Sequence, residues 1–275
     1  MPREVILAEH SGFCFGVERA ISLAEEALGS GGGPVYSLGS IIHNSREVAR
    51  LEKAGLKVVS GLDGLGAGTL IIRSHGAHPS VFEEAGRMGL KIVDATCPFV
   101  KRLHEIAAML IDEGYRVIAA GEREHPEVMA LSGVEVVENA GDAMKVKKFK
   151  KIGVVSQTTR SAESLREVVS VLTGKTNELR VFNTICSATE KRQASALKLS
   201  EKTDMIVVVG GYNSANTRRL REICLAAGAE TIHIESADEL EAEAFKDAGV
   251  VGVAAGASTP GWIVKEVIRK LEEFP

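Results

Sequence analysis

Three cysteines, Cys14, Cys97 and Cys186, stand at matching points of a pattern that runs through the chain. Cys14 follows an apolar run ending near Ala8, Cys97 follows Lys91-Ile92-Val93, and Cys186 follows Arg180-Val181-Phe182. Each is followed by a helical stretch with a basic residue in its early turns: Arg19, Lys101 and Lys191. Three thiols at equivalent positions are hard to explain as packing. As thiolates they suit a four-iron cluster with one iron left open, or a zinc site with one open position. No Cys-x-x-Cys pair signals a structural zinc, and cysteine-only ligation favours iron–sulfur. Cys224 is the contrast: it shares a helical face with Leu220, Ile223 and Ala227 and reads as core.

A second set of residues suits an anion. Beyond each cysteine's helix a strand ends in glycine (Leu38-Gly39, Ala120-Gly121, Val209-Gly210), and a polar residue follows: His43, His125 or Ser214. The offsets from the cysteines are 43−14=29, 125−97=28 and 214−186=28. Another strand then ends in Ser74-His75-Gly76, Gln157-Thr158-Thr159 or Ala257-Ser258-Thr259, at offsets 75−43=32, 158−125=33 and 258−214=44. The last interval implies an insertion in the final third. Glycines let backbone approach a ligand, and N–H groups at helix starts with nearby hydroxyls suit phosphate oxygens. Within Glu124-His125-Pro126-Glu127, the middle repeat also places a carboxyl group, Glu127, in its site slot, opposite Thr158. A carboxyl in a closed cavity has its pKa raised and can deliver a proton. His10, His78, His104 and His233 fall outside this regularity and are expected to be ordinary structural or surface residues.

The elements that must position these groups alternate between strand and helix. Leu70-Ile71-Ile72, Val117-Ile118-Ala119 and Ile206-Val207-Val208-Val209 are buried parallel strands by pattern. Val17, Ala20, Ile21, Ala24 and Leu28 recur at helical spacing. The chain is therefore α/β, with one unit used three times: 15–97, 98–186 and 187–275, with 1–14 as an N-terminal strand that completes the ring. Each unit is expected to be a small α/β domain with a parallel sheet; if the three are arranged about a pseudo-threefold axis, their cysteines and polar loops converge on one central cavity. The loops that carry the chemistry then sit at the C-terminal strand ends, where such sheets open a crevice.

The bulk numbers agree with this reading. With 33 Lys and Arg against 37 Asp and Glu, the net charge of −4 argues against a nucleic-acid partner. An anionic substrate must be caught by a local site. The basic run Lys145 to Lys151 reads as a solvated loop before a strand. No apolar run approaches the about 18 residues of a membrane span, and a strand follows the N-terminus with no leader-like segment. A cytoplasmic location is expected, where thiols stay reduced.

The segments Gly12-Phe13-Cys14-Phe15-Gly16-Val17, Ile42-His43-Asn44, Arg73-Ser74-His75-Gly76, Asp94-Ala95-Thr96-Cys97-Pro98, Glu124-His125-Pro126-Glu127, Gln157-Thr158-Thr159, Asn183-Thr184-Ile185-Cys186 and Gly256-Ala257-Ser258-Thr259-Pro260 are in the order of one family. Together the chain closely resembles the 4-hydroxy-3-methylbut-2-enyl diphosphate reductases. The resemblance implies reductive dehydroxylation of that diphosphate to isopentenyl and dimethylallyl diphosphate, the last step of non-mevalonate isoprenoid biosynthesis. It implies three small α/β domains with parallel sheets in a pseudo-threefold trefoil around a central [4Fe-4S] cluster, held by Cys14, Cys97 and Cys186 with one iron not ligated by protein. Diphosphate-binding positions match His43, His75, Ser214, Asn216 and Ser258. Substrate-hydroxyl and proton-relay positions match His125, Glu127 and Thr158. Ala215 stands where many members have serine or glycine, so a backbone contact to substrate can survive there but a hydroxyl contact cannot. A reduced electron-transfer protein such as ferredoxin or flavodoxin is the partner such chemistry requires. Two rivals follow from the residues alone. A metal-dependent dehydratase or diphosphate hydrolase would turn over without a reductant; a cluster-carrying sensor would lack a small-molecule pocket.

Overall fold

The computed structural model describes residues 4–274 of the 275, so residues 1–3 and 275 of the expected first and last segments lie outside the described part. The described strands form three parallel four-stranded sheets. One contains β2 (Val35–Leu38), β3 (Leu56–Val59), β4 (Thr69–Ile72) and β5 (Lys91–Asp94), in the order β3-β2-β4-β5. The next contains β6 (Arg116–Ala120), β7 (Glu135–Val137), β8 (Phe149–Ser156) and β9 (Thr176–Val181), in the order β7-β6-β8-β9. The last contains β10 (Met205–Val209), β11 (Glu230–Ile234) and β12 (Val250–Ala255), and its fourth member is β1 (Glu4–Leu7). Its order, β11-β10-β12-β1, repeats that of the others. β1 runs beside β12 with Glu4 opposite Val250 and Leu7 opposite Val253.

The central strands are mainly apolar because both faces are covered. Every residue of β4 and of β10 is buried, as are the last five of β8. The helices that cover them are α1 (Phe15–Gly29), α2 (Ser45–Lys53), α3 (Pro79–Arg87), α4 (Pro98–Asp112), α5 (Pro126–Met129), α6 (Ala140–Lys145), α7 (Ala162–Thr173), α8 (Ser187–Ser200), α9 (Ala215–Ala226) and α10 (Gly261–Glu273). On α4, Leu103, Ile106, Ala107 and Leu110 form one stripe against Val117, Ala119 and Val155. Helix α8 is different: its buried face includes Thr189, Arg192 and Ser195 beside Ala196 and Leu199. A helix that buries an arginine has a specific partner for it.

Two sequence expectations change. The sequence pattern marked three strands for each repeat, whereas each sheet has a fourth: β3, β7 or β11. These outer strands are short and partly exposed, so no continuous apolar run announces them. The Lys145–Lys151 run is not all loop: α6 ends at Lys145, and Phe149, Lys150 and Lys151 already belong to β8. The insertion in the final third consists of a longer helix, α9, and two short 3-10 turns at Ala237–Glu239 and Ala242–Phe245. Phe245 is fully buried there, against the α10 side of its sheet.

The residues group into two compact units. One comprises Met1–Val17, His43–Glu47 and Ser187–Pro275 and holds the β11-β10-β12-β1 sheet. The other comprises Glu18–Ile42 and Val48–Cys186 and holds the other two sheets. Among the described residues no helix is long and apolar enough to cross a membrane.

Candidate functional site

In the unit with the β1-containing sheet, the loop after β12 and the start of α9 come together. Cys14 lies directly before α1, and its N–H donates to the Ala257 carbonyl at 3.1 Å. Three residues upstream, Ser11 Oγ accepts the Ala255 N–H at 3.3 Å. Ser214 caps α9, its Oγ accepting the Thr217 N–H at 3.3 Å, and Ala215 is the first helical residue. Asn216 is only 4% exposed, yet neither polar atom of its amide has a protein hydrogen-bond partner. A buried amide left so is costly unless something else satisfies it. Ser258 Oγ donates to the His43 carbonyl at 2.9 Å. Asn44, next in the chain, accepts the Glu47 N–H at 3.0 Å and so starts α2. The loops are tight because they are glycine: a Cβ on Gly211 would lie 2.6 Å from the His43 carbonyl, and one on Gly256 would lie 2.1 Å from Thr217 Oγ1.

In the other unit the same devices recur. The Cys97 N–H donates to the Ser74 carbonyl at 3.0 Å, and the Cys186 N–H to the Thr158 carbonyl at 3.1 Å. Each cysteine amide is therefore tied to the polar loop that follows a central strand: β4, β8 or β12. Cys97 directly precedes α4 and Cys186 directly precedes α8, as Cys14 precedes α1. Cys14, Cys97 and Cys186 are half-buried, whereas Cys224 is fully buried among Leu199, Val208 and Leu220. Burial pushes the Cys224 thiol up, which suits a packing residue.

His75 and His125 meet edge to face in this unit, with ring centroids 5.4 Å apart. His125 caps α5 by accepting the Glu127 N–H at Nδ1, so its neutral ring carries the proton on Nε2. Glu127 is 1% exposed, and its carboxylate is bonded twice by Thr158: the Thr158 N–H donates to Oε1 at 2.6 Å and Thr158 Oγ1 to Oε2 at 2.8 Å. Burial pushes the carboxyl up to about 7, against the pull of those two hydrogen bonds. A group half protonated near neutrality can hold a proton or release one.

The fold thus brings His43, Ser214, Asn216, Ser258 and Cys14 into one unit, and His75, His125, Glu127, Thr158, Cys97 and Cys186 into the other. The model of the LytB protein family matches residues 5–272 of the chain. The chain is 48% identical to the 4-hydroxy-3-methylbut-2-enyl diphosphate reductase of Geobacter sulfurreducens, over 98% of each. It is 44% identical to that of Aquifex aeolicus, over 98% of this chain and 96% of that one. The chain belongs to the LytB family. A solved structure of the Plasmodium falciparum reductase matches with a TM-score of 0.93 at 29% identity, covering 98% of this chain and 88% of that one. Another matches with a TM-score of 0.70 at 44% identity, over 98% and 99%; it is an (E)-4-hydroxy-3-methyl-but-2-enyl diphosphate reductase, described as the terminal enzyme of the non-mevalonate pathway.

LytB proteins are iron–sulfur reductases, and the donor set fits such a group: three half-buried thiols, each at the first turn of a helix, where unsatisfied N–H groups favour negative charge. Two of the four histidines outside the regularity, His78 and His233, have structural partners. His78 caps α3 and its Nε2 lies 2.7 Å from Ser132 Oγ, while His233 packs on Tyr212 and bonds the Gly210 carbonyl. Pattern reading missed the residue three before each cysteine. Asp94 Oδ1 accepts the Thr96 N–H at 2.9 Å and Asn183 Oδ1 the Ile185 N–H at 3.1 Å, in the slot that Ser11 fills before Cys14. The constant offset (14−11, 97−94 and 186−183 all equal 3) was a usable signal.

Proposed function

We infer that this chain reduces 4-hydroxy-3-methylbut-2-enyl diphosphate to isopentenyl and dimethylallyl diphosphate, with Cys14, Cys97 and Cys186 as the ligands of a [4Fe-4S] cluster whose fourth iron has no protein ligand. The supporting observation is the recurrence: three cysteines, each opening a helix, each with its amide bonded to the loop after a central strand. When bound, the cluster supplies electrons one at a time and a Lewis-acidic position beside the substrate's hydroxyl. The same proposal divides the chain into three α/β domains, 15–97, 98–186 and 187–275, with 1–14 completing the last sheet. Its support is the common strand order.

The protein's own part is to bind, orient and protonate. Asn216 offers a buried amide, Ser214 and Ser258 hydroxyls, Ala215 a helix-start N–H, and His43 and His75 ring N–H groups to the diphosphate. His125 Nε2–H points the substrate's hydroxyl end. Glu127 holds the proton. With the carboxyl protonated at Oε2, the bond to Thr158 Oγ1 reverses and the threonine O–H is passed on to the substrate, because a hydroxyl can accept and donate at once. Loss of the substrate's hydroxyl as water consumes that proton, and a second proton, taken up by Glu127 from solvent and relayed the same way, forms the product's new C–H bond. A reduced ferredoxin or flavodoxin in the cytoplasm is the proposed source of the two electrons. The test is anaerobic turnover of the diphosphate with a chemical reductant, followed by mass spectrometry. Consumption without reductant, or products other than the two five-carbon diphosphates, would refute the reading.

Two further results are expected. His43→Ala and His75→Ala should each weaken substrate binding by about 1.5–3 kcal/mol, the worth of a hydrogen bond to a charged group, and leave iron content unchanged. A titration of the cluster spectrum with substrate measures this; unaltered affinity removes that histidine from the diphosphate site. Turnover should also fall as pH rises through about 7, where Glu127 loses its proton. Thr158→Val deletes both the relay hydroxyl and a bond that favours the ionised carboxylate, so turnover should fall and the alkaline limb of what remains should move to higher pH. An unmoved limb would show that another group sets it. Stability shifts in the same direction: a carboxyl raised from 4.5 stabilises the fold fully below about 4.5, and that contribution is lost as pH passes about 7.

A further inference from the structure

Two arginines that follow cysteines turn inward to the main chain of cysteine-bearing loops. Arg19, five residues after Cys14, donates from Nη1 to the Thr96 carbonyl and from Nη2 to the Asp94 carbonyl, each at 3.2 Å. Thr96 immediately precedes Cys97. Arg192, six residues after Cys186, is 6% exposed and donates from Nη2 to the Gly12 carbonyl at 2.6 Å and from Nη1 to the Ala188 carbonyl at 3.1 Å. Gly12 lies two residues before Cys14, at φ +85°. One turn further along α8, Ser195 Oγ accepts the His10 N–H at 3.2 Å, so α8 grips the Cys14 loop twice. Each clamp lies within one compact unit. The basic residue at the repeat position in the last third is Lys191, but its neighbour Arg192 makes the contact.

A guanidinium suits this task better than an ammonium. Its planar fork reaches two carbonyls in fixed directions and its charge is permanent. Lys101, four residues after Cys97, shows the alternative: it makes one contact, to Asp94 Oδ2 at 2.5 Å. Consecutive Cα atoms are about 3.8 Å apart, so each charge is held within a few residues' reach of a cysteine. Net charge and hydrogen bonding around the ligands are among the levers that set a cluster's potential.

We propose that Arg19 and Arg192 are positioning residues of the iron–sulfur centre, fixing the Cys97 and Cys14 loops through their carbonyls and stabilising the reduced cluster with a permanent positive charge. This rests on the reading of Cys14, Cys97 and Cys186 as cluster ligands. A thiolate-bound cluster becomes more negative on reduction, so a nearby cation favours the reduced form. The two roles separate by substitution: lysine keeps the charge and breaks the fork, glutamine removes the charge.

The experiment uses the full chain with its cluster assembled anaerobically, in Arg19→Gln, Arg19→Lys, Arg192→Gln, Arg192→Lys and Cys14→Ser forms. Iron per chain, the rate of iron loss to a chelator and the midpoint potential by spectroscopic redox titration are measured. The glutamine variants should show a reduced-to-oxidised ratio about tenfold lower at a fixed potential, equivalent to a midpoint about 59 mV more negative for one electron. The lysine variants should keep the wild-type midpoint but release iron several-fold faster. Should a glutamine variant hold too little iron to titrate, the lysine variant at that position decides by its rate of iron loss. Wild-type midpoints in the glutamine variants, or wild-type iron retention in the lysine variants, would overturn the corresponding role. Full iron in Cys14→Ser would instead overturn the ligand reading beneath it.

Discussion

Cys14→Ser, Cys97→Ser and Cys186→Ser are each expected to lose most of the chain's iron and nearly all of its turnover, while Cys224→Ala keeps both. The difference lies in where the four thiols sit. The first three are half-buried, each at a helix start with its amide held by a polar loop, whereas Cys224 is buried in an apolar cluster. Changes to groups that merely orient a ligand already cost about 10–100-fold in metal affinity, so removing a ligand must cost more. Serine is close in size to cysteine, and it offers a hard oxygen where iron–sulfur chemistry needs a soft thiolate. Cys224→Ala removes one sulfur from a packed core and should cost about 1 kcal/mol of stability, visible as a modest drop in Tm. Iron and sulfide analysis of the four purified variants decides the matter. Iron that tracks Cys224 as strongly as the other three would remove the proposed ligand set.

The recurrence of cysteine, helix, strand and polar loop was legible because each part leaves a local mark. Fully buried parallel strands such as Ile206–Val209 are unbroken apolar runs, and helix starts after Cys97 and His125 carry proline. The pairing of β1 with β12 was reachable by counting, since the first repeat otherwise has one strand too many and the last one too few. What was not legible depends on distance through space. Nothing local to Arg192 says that it is buried, because its partner, the Gly12 carbonyl, is 180 positions away. The weak apolar periodicity of α8 was a hint: a helix that packs Thr189, Arg192 and Ser195 inward cannot show a clean apolar stripe. Likewise β7 is three residues long, too short for a period-two pattern to register. Glu127 lay between the two cases. Its type and slot suggested an acid, but an acidic residue in the first turn of a helix also complements the helix dipole. Only its burial and its two bonds to Thr158 separate those readings.

Glu127→Gln should bind substrate almost normally and turn over about 10²–10⁴-fold more slowly, the usual loss when general-acid help is removed. The carboxyl has three properties together that a structural residue does not need. It is fully enclosed, burial lifts it to about 7, and its partner is a hydroxyl able to relay a proton. Glutamine keeps the shape, and its carbonyl can still accept from the Thr158 N–H. Its NH2 group can then donate toward Thr158 Oγ1, much as the protonated acid would, so the local fold and the binding groups should persist. What glutamine cannot do is give up a proton. The variant's alkaline limb near pH 7 should therefore vanish from what turnover remains, since the group that titrates there is gone. The measurement pairs kcat across about pH 5–9, two units each side of the titration, with a substrate titration of the oxidised cluster's spectrum. Normal affinity with a flat, depressed kcat profile is the expected outcome. A near-wild-type kcat would end the proton-donor role, and lost affinity with intact chemistry would make Glu127 a residue that positions Thr158.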